Sequence, residues 1–368
     1  MDSVATFQGQ PLLNQVREVG INPNYWYPVA WADQLRPGEV TGVVVWQKEI
    51  ALYRDRQGDL HALEDACPHK GVALHKGTVE ADRLACAYHG WQFNGEGTCV
   101  YIPYLPEGQK MPCAQAQSYP VQEQYGIIWL FPGDPSRSAR SAPPHIPEYG
   151  HPEFFLVRVP GHFQAHFSIC NENTIDVFHG HLHRNLQGWF NPILLSLRQT
   201  QAEVWADYQV SYQGPLTRIL GINKENHGIT TRTVSIHFQY PHYHSTLEGV
   251  SSLHLMRLPV GPTETRSFSL LFLRVPLPRW LFQGFLKRPL EKLFLNQIFL
   301  KFLNQDAEMM ESEQLTYLAN PRRQYVEVNP AIIALQRVIF GQYEQFMQQS
   351  RQSLSQVFGS TSATLPMT

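Results

Sequence analysis

Cysteine is scarce in this chain: five among 368 residues, an odd number, at Cys67, Cys86, Cys99, Cys113 and Cys170. A disulfide framework is therefore not expected to hold the fold, and with 43% hydrophobic residues the chain can bury a core without one. The first residues, MDSVATFQGQ, lack the basic and apolar regions of a secretory signal, so a reducing, cytoplasmic setting is expected. Charge of one sign is lacking too. Lys and Arg number 29 against 31 Asp and Glu, no dense basic run occurs, and nucleic acid is set aside as a partner. No apolar run reaches the roughly 18 residues of a spanning helix. There is also no G-x-G-x-x-G fingerprint for a dinucleotide.

What is present divides into two halves. Residues 25–135 read as short strands and turns: TGVVVWQKEIALYRD is rich in β-branched and aromatic residues and leads into a turn at RQGD, and YGIIWLFPGD is a strand ended by Pro and Gly. The stretch PGDPSRSARSAPPHIPEYGHPE, dense in Pro and Ser, reads as a surface linker with the boundary near residue 140. Beyond it, EVWADYQVSY, TVSIHFQY and RSFSLLFLRV alternate as strands of an antiparallel sheet, whereas 280–318 and 331–350 have helical spacing. The expected class is α+β. Residues 1–24 are read as an N-terminal extension, 25–140 as an all-β domain, 141–350 as an α+β domain and 351–368 as a flexible tail.

Two loops of the first half carry metal-ligand chemistry. Cys67-x-His69 and Cys86-x-x-His89 stand with sixteen residues between His69 and Cys86. Structural zinc is one reading, but zinc fingers usually place a Cys pair before a His pair. Here each loop supplies one thiolate and one imidazole. Two metal atoms can then each take a matched pair, the arrangement of a Rieske [2Fe–2S] centre. Gly71, Gly90 and Gly95 fall where tight loops would approach such a cluster.

The stretch CPHKGVALHKG…CAYHGWQFNGEGTCVYIP resembles the N-terminal domain of the Rieske non-haem iron oxygenases. Alone, that domain is an electron carrier, so the second half decides between a carrier and an oxygenase. In NENTIDVFHGHLHRNLQGW, Asn173, Asp176, His179 and His183 recur at three and four residues, which predicts one helix face with two imidazoles on it. The resemblance implies that His179, His183 and Asp306, from NQDAEMMESEQ, form a 2-His-1-carboxylate iron site in a helix-grip type domain. Glu311 follows Asp306 as in the family, and Glu308 is a weaker candidate ligand. Most relatives place four residues between the histidines, and here that position is Arg184, a donor only; His181, at i+2, would point away from His179.

The resemblance further implies that Asp176 relays electrons from the cluster of a neighbouring chain in a head-to-tail ring, commonly a trimer, because within one chain the two centres lie too far apart. A ferredoxin or flavin reductase would supply the electrons. The reaction implied is hydroxylation, or dealkylation after hydroxylation, of an organic substrate by O2. Aromatic and apolar content favours a large apolar substrate such as a tetrapyrrole, carotenoid or sterol over a small aromatic or polar one. Residues 279–303, apolar with mainly positive charges, fit either a packed helix leading to the iron ligand or contact with a membrane surface; the packed helix is preferred, since a ligand-bearing helix is largely buried. His237, His242, His244 and His254 are read as satisfied core or surface residues.

Overall fold

A computed structural model describes residues 11–183, 189–213, 229–274 and 287–359. The first half contains β1 (Tyr27–Trp31), β2 (Val40–Val45), β3 (Lys48–Arg54), β4 (Leu60–Glu64), β5 (Thr78–Glu80), β6 (Arg83–Ala85), β7 (Gln92–Phe93), β8 (Cys99–Tyr101), β9 (Val121–Gln124) and β10 (Ile127–Leu130). They form three antiparallel sheets, ordered β1-β10-β9, β2-β3-β4 and β5-β6-β7-β8. The run TGVVVWQKEIALYRD is not one strand. It folds back at Trp46 and Gln47, whose φ angles of 45° and 65° give the left-handed turn that tight hairpins favour.

That hairpin tip joins the halves. The N–H groups of Trp46 and Gln47 donate to the carbonyls of Pro259 and Val260, both at 2.8 Å, and the Trp46 indole packs edge-on against His166 and Phe167.

The second half opens with β11 (Phe155–Phe163) and helix α1 (Phe167–Ile175), followed by β12 (Trp189–Gln199), β13 (Glu203–Tyr212), β14 (Thr230–Gln239), β15 (His242–Leu247), β16 (Ser251–Gly261) and β17 (Glu264–Leu273). These strands make one seven-stranded antiparallel sheet, β11-β17-β16-β15-β14-β13-β12. Strand alternation sends Leu253, Leu255 and Arg257 of β16 to the cavity face, and His254, Met256 and Leu258 to the opposite face. Helices α2 (Lys287–Phe294), α3 (Leu300–Ala319) and α4 (Pro330–Gly359) follow, with a π-helical stretch at Leu295–Phe299 running into α3. Leu295, Phe299 and Leu303 pack on Phe155, Val157 and Leu271, which anchors the approach to Asp306.

The protein is thus α+β, a sheet-rich first half followed by a large antiparallel sheet and helices. Two local readings need correction here. Helix α1 stops at Ile175 with Asp176 as its cap, so one helix does not carry both histidines. Within the described part of the N-terminal extension, Asn14, Arg17 and Asn22 are buried. Helix α4 runs on through Gly359, beyond the expected start of a flexible tail; Gln, Leu and Arg are good helix formers there. Residues 360–368 lie outside the described residues, as do Arg184 and residues 279–286 of the apolar stretch.

The linker is pinned rather than free. Glu148 reaches the outer face of the sheet, where its carboxylate meets the His254 Nε2 at 3.0 Å and the Ser252 hydroxyl at 2.5 Å, while His244 Nε2 contacts that hydroxyl at 2.9 Å. One carboxylate and two imidazoles in one place resemble a metal site. The two rings, however, stack 4.3 Å apart at an interplanar angle of 11°, so their lone pairs run side by side rather than converging on one ion. The arrangement is a hydrogen-bonded clamp.

Candidate iron centres

The four expected cluster residues come together on two loops of matching construction. Cys67 N–H donates to the Val72 carbonyl at 2.9 Å and Gly71 N–H returns to Cys67 at 2.7 Å; Cys86 N–H donates to Trp91 at 2.8 Å and Gly90 N–H returns to Cys86 at 3.0 Å. Each loop closes through a glycine of positive φ, +71° at Gly71 and +69° at Gly90, a conformation that Cβ-bearing residues resist. Gly95 serves otherwise: a Cβ there would meet the His61 ring at 2.2 Å. The loops bury Cys67 and Cys86 as free thiols and set the His69 and His89 rings 4.6 Å apart. Trp91 stacks on His69 at 4.5 Å, and the exposed Tyr88 lies on His89.

Burial pushes the Cys67 thiol up to about 11; the neighbouring Cys86 adds to this, and backbone N–H groups of His69 and Lys70 directed at the sulfur oppose it. Desolvation, then His89 and Lys70, holds the His69 imidazole below its ordinary value. Two adjacent soft sulfurs, with amide donors directed at Cys67, stand beside the His69 and His89 rings and fit a [2Fe–2S] cluster with matched ligand pairs. Cys99 is a packed thiol and Cys113 an exposed one.

The second set of donors gathers at the cap of α1. After Asp176 the chain makes a 3₁₀ turn over Phe178–His181, and this turn, rather than a continuous helix, brings His179 and His183 to face α3. His183 Nε2 lies 3.0 Å and His179 Nε2 3.7 Å from the same Asp306 oxygen. His181 is exposed and outside the donor set. Glu311 accepts from the Gln164 backbone N–H at 2.9 Å, and Glu308 is exposed, so neither joins the site.

Sequence reasoning missed the supporting residues. Gln305 Oε1 faces His183 Nδ1 at 2.9 Å, which leaves Nε2 for Asp306 or a metal. Asp176 Oδ1 accepts from Phe178 N–H at 2.9 Å and Asn329 Nδ2 at 3.0 Å, while Oδ2 stands 4.0 Å from His179 Nδ1, a buried nitrogen without a partner. Trp189 packs on both imidazoles and Phe302 on His183. Only glycine fits at 180, because a Cβ would lie 1.7 Å from the Trp189 indole nitrogen.

Electrostatics differ between the two rings. Burial holds His179 below its ordinary value against the pull of Asp306 and Asp176. At His183 burial acts in the same direction, but the hydrogen bond and charge of Asp306 prevail and raise it. Two converging imidazole nitrogens with one carboxylate oxygen, all within 4.8 Å of one another, fit a facial-triad iron site with positions left open. The donors line a cavity of about 330 Å³ between the sheet and α3, whose walls include Val159, Val234, Leu247, Leu253, Leu271 and Phe299.

Comparison with known proteins places this arrangement. Residues 25–120 match the Rieske [2Fe-2S] domain model, and residues 163–340 match the vanillate O-demethylase oxygenase C-terminal domain model. The 4beta-methylsterol monooxygenase of Methylococcus capsulatus is 36% identical over 348 residues, covering 92% of this chain and 93% of that protein. The dicamba O-demethylase oxygenase component of Stenotrophomonas maltophilia is 33% identical over 165 residues, 44% of this chain and 47% of its own. Among solved structures, dicamba monooxygenase bound to 3,6-dichlorosalicylic acid has the same fold, with a TM-score of 0.72 at 20% identity, covering 90% of this chain and 98% of that one. The chain belongs to the Rieske non-haem iron oxygenases. It is an oxidoreductase whose cofactors are a [2Fe–2S] cluster and a mononuclear iron, and it takes O2, an organic substrate and electrons from a transfer partner. The carrier-only reading does not stand.

Proposed function

We propose that this enzyme oxidises a large, predominantly apolar substrate of the sterol type, with Cys67, His69, Cys86 and His89 holding the cluster and His179, His183 and Asp306 holding the iron. The observation that carries the substrate class is the apolar wall of the cavity at the triad. The likeness to a methylsterol monooxygenase along nearly the whole chain supports it. When bound, the cluster supplies single electrons and the iron supplies activation of dioxygen.

The chain's own residues set the conditions. Gln305 fixes the His183 ring so that Nε2 faces the site. Asn329 and the Phe178 N–H hold one oxygen of Asp176, which keeps the other beside His179. Trp189 and Phe302 wall the imidazoles from water. In the proposal Asp176 also receives the cluster ligand His89 of a neighbouring chain, in a ring of three, and a ferredoxin or flavin reductase delivers the electrons.

No helix among the described residues is long and apolar enough to cross a membrane. Part of the 279–303 stretch fits the packed-helix reading, as Leu295, Phe299 and Leu303 do. Leu293, 55% exposed beside the exposed Lys292, is where α2 fits contact with a lipid surface. A cytoplasmic location with that peripheral contact completes the proposal.

The test is turnover of a 4-methylsterol and of a small methoxylated aromatic acid by purified enzyme with a general reductase under labelled O2. Label in the sterol product is expected. Label only in the aromatic product would overturn the substrate class.

A further inference from the structure

Among the described residues, one cation in the wall of the cavity is buried without an ion-pair partner. Arg257 of β16 is 3% exposed. Its Nε donates to Asn171 Oδ1 at 3.1 Å, and its Nη2 donates to the Cys170 carbonyl and the Thr174 hydroxyl, both at 2.6 Å. All three partners are neutral. Among the described residues Nη1 is buried without a hydrogen-bond partner, and the guanidinium lies 5.4 Å from the centroid of the Phe163 ring. A buried guanidinium without a counter-charge is unfavourable, and desolvation indeed lowers its pKa. Cys170 and Tyr243 oppose this, and after them the carboxylate of Asp306. On the reading above, Asp306 is committed to iron.

The surroundings are graded along the strands. Arg257 pairs across strands with Ser267, and Ser269 follows on the same face of β17; both serines line the cavity, and no hydrogen bond of their hydroxyls is found among the described residues. Further along the same faces stand Leu253, Leu271 and Leu273. The polar end is also the iron end: Arg257 holds Thr174, and the adjacent Asn173 directs its Nδ2 to Asp306 at 3.4 Å. A guanidinium can only donate, so its complement is an oxygen acceptor.

Resting on the proposed apolar substrate, we propose that Arg257, with Ser267 beside it, binds a hydroxyl, carbonyl or carboxylate oxygen carried next to the carbon that is oxidised. The substrate is then amphipathic, with its oxygen at the iron end and its hydrocarbon body along Leu253, Leu271 and Leu273. A 4-methylsterol has this shape, since its hydroxyl sits on the carbon neighbouring the methylated one. Arg257 acts as a specificity determinant rather than in the oxidation itself.

Paired substrates test this in the holoenzyme with a reductase. One pair is a 4-methylsterol and its 3-deoxy counterpart; the other is methoxybenzoate and methoxybenzene. Wild-type enzyme should favour the oxygenated member of the sterol pair by about tenfold or more in kcat/KM, because a site built to pair a polar group rejects the analogue lacking it. Arg257→Gln should abolish that preference, mainly through KM, with cluster spectrum and iron content retained. Ser267→Ala should reduce it by a few-fold, about the loss of one neutral hydrogen bond. Equal turnover of both sterols by wild type, or full preference in Arg257→Gln, overturns the inference and leaves the sterol reading intact. If neither sterol reacts, the sterol reading falls, and the aromatic pair decides Arg257 by the same criterion. A substituted chain that fails to fold does not spoil the test, since the wild-type comparison stands without it.

Discussion

Arg17 holds Glu172 through two parallel hydrogen bonds, Nη1 to Oε1 at 2.6 Å and Nη2 to Oε2 at 2.7 Å, with only 1% of the arginine side chain exposed. Nη2 also reaches Glu313 on α3 at 2.7 Å. One residue of the N-terminal segment thus ties α1, which leads to the histidines, to α3, which carries Asp306. Removing one partner of a buried pair strands the other charge, typically at about 3–5 kcal/mol. Arg17→Met should lower thermal stability markedly and weaken retention of mononuclear iron before cluster absorbance is lost. Iron counts and visible spectra along a chelator titration check this; simultaneous loss of both centres would show that Arg17 supports the fold generally.

The triad should be separable from the cluster by metal analysis. His179→Ala, His183→Ala and Asp306→Ala are each expected to cost one iron per chain with an unchanged cluster spectrum, while His181→Ala keeps it. Gly180→Ala should behave like the ligand variants, because the added methyl occupies the position of the Trp189 indole. Full iron in His183→Ala with loss in His181→Ala would reverse the ligand assignment.

Two buried imidazoles predict sensitivity to acid. Burial, then the charge of Arg17, lowers His166 to about 3 despite its contact with the Val19 carbonyl, and burial lowers His242 to about 4 despite its bond to Trp26. In the unfolded chain both titrate near about 6.5. The unfolded state therefore binds more protons below that pH, and stability is full above it and declines as the pH falls toward 4. Urea unfolding across this range should show the decline. His242→Gln should flatten it by up to about 1.4 kcal/mol per pH unit, one proton's share. An unaltered slope would mean that other groups dominate.

The ring has a complementation test. A Cys67→Ser chain and a His179→Ala chain, each inactive alone, should regain partial activity in mixed oligomers if electrons cross between chains. No recovery in oligomers shown to contain both chains would remove Asp176 from the relay.

The residues proposed to hold the cluster were legible because each loop places its Cys and His within four positions, and the hydrogen-bond closure of the loops is local. His179 and His183 were legible by spacing, although the helix inferred from that spacing ends at Asp176; an Asp bonded to the N–H two residues on competes with helical continuation. Asp306 lies 123 positions from His183, and only the resemblance pointed to it. Arg17 with Glu172, and Glu148 with His254, are separated by 155 and 106 positions and leave no periodic trace. Such pairs exist only once topology has brought distant segments together.

Strand β16 serves two clients on alternate residues. Leu253, Leu255 and Arg257 face the cavity, while His254 faces the Glu148 clamp. Adding or deleting one residue there would exchange the faces, setting an imidazole into the cavity and leucines against a carboxylate. Changes in substrate range at this wall are thus open to side-chain replacement and closed to changes in strand length, so homologues with different substrates should differ here in identity while keeping the same residue count between the two tight turns that bound the strand.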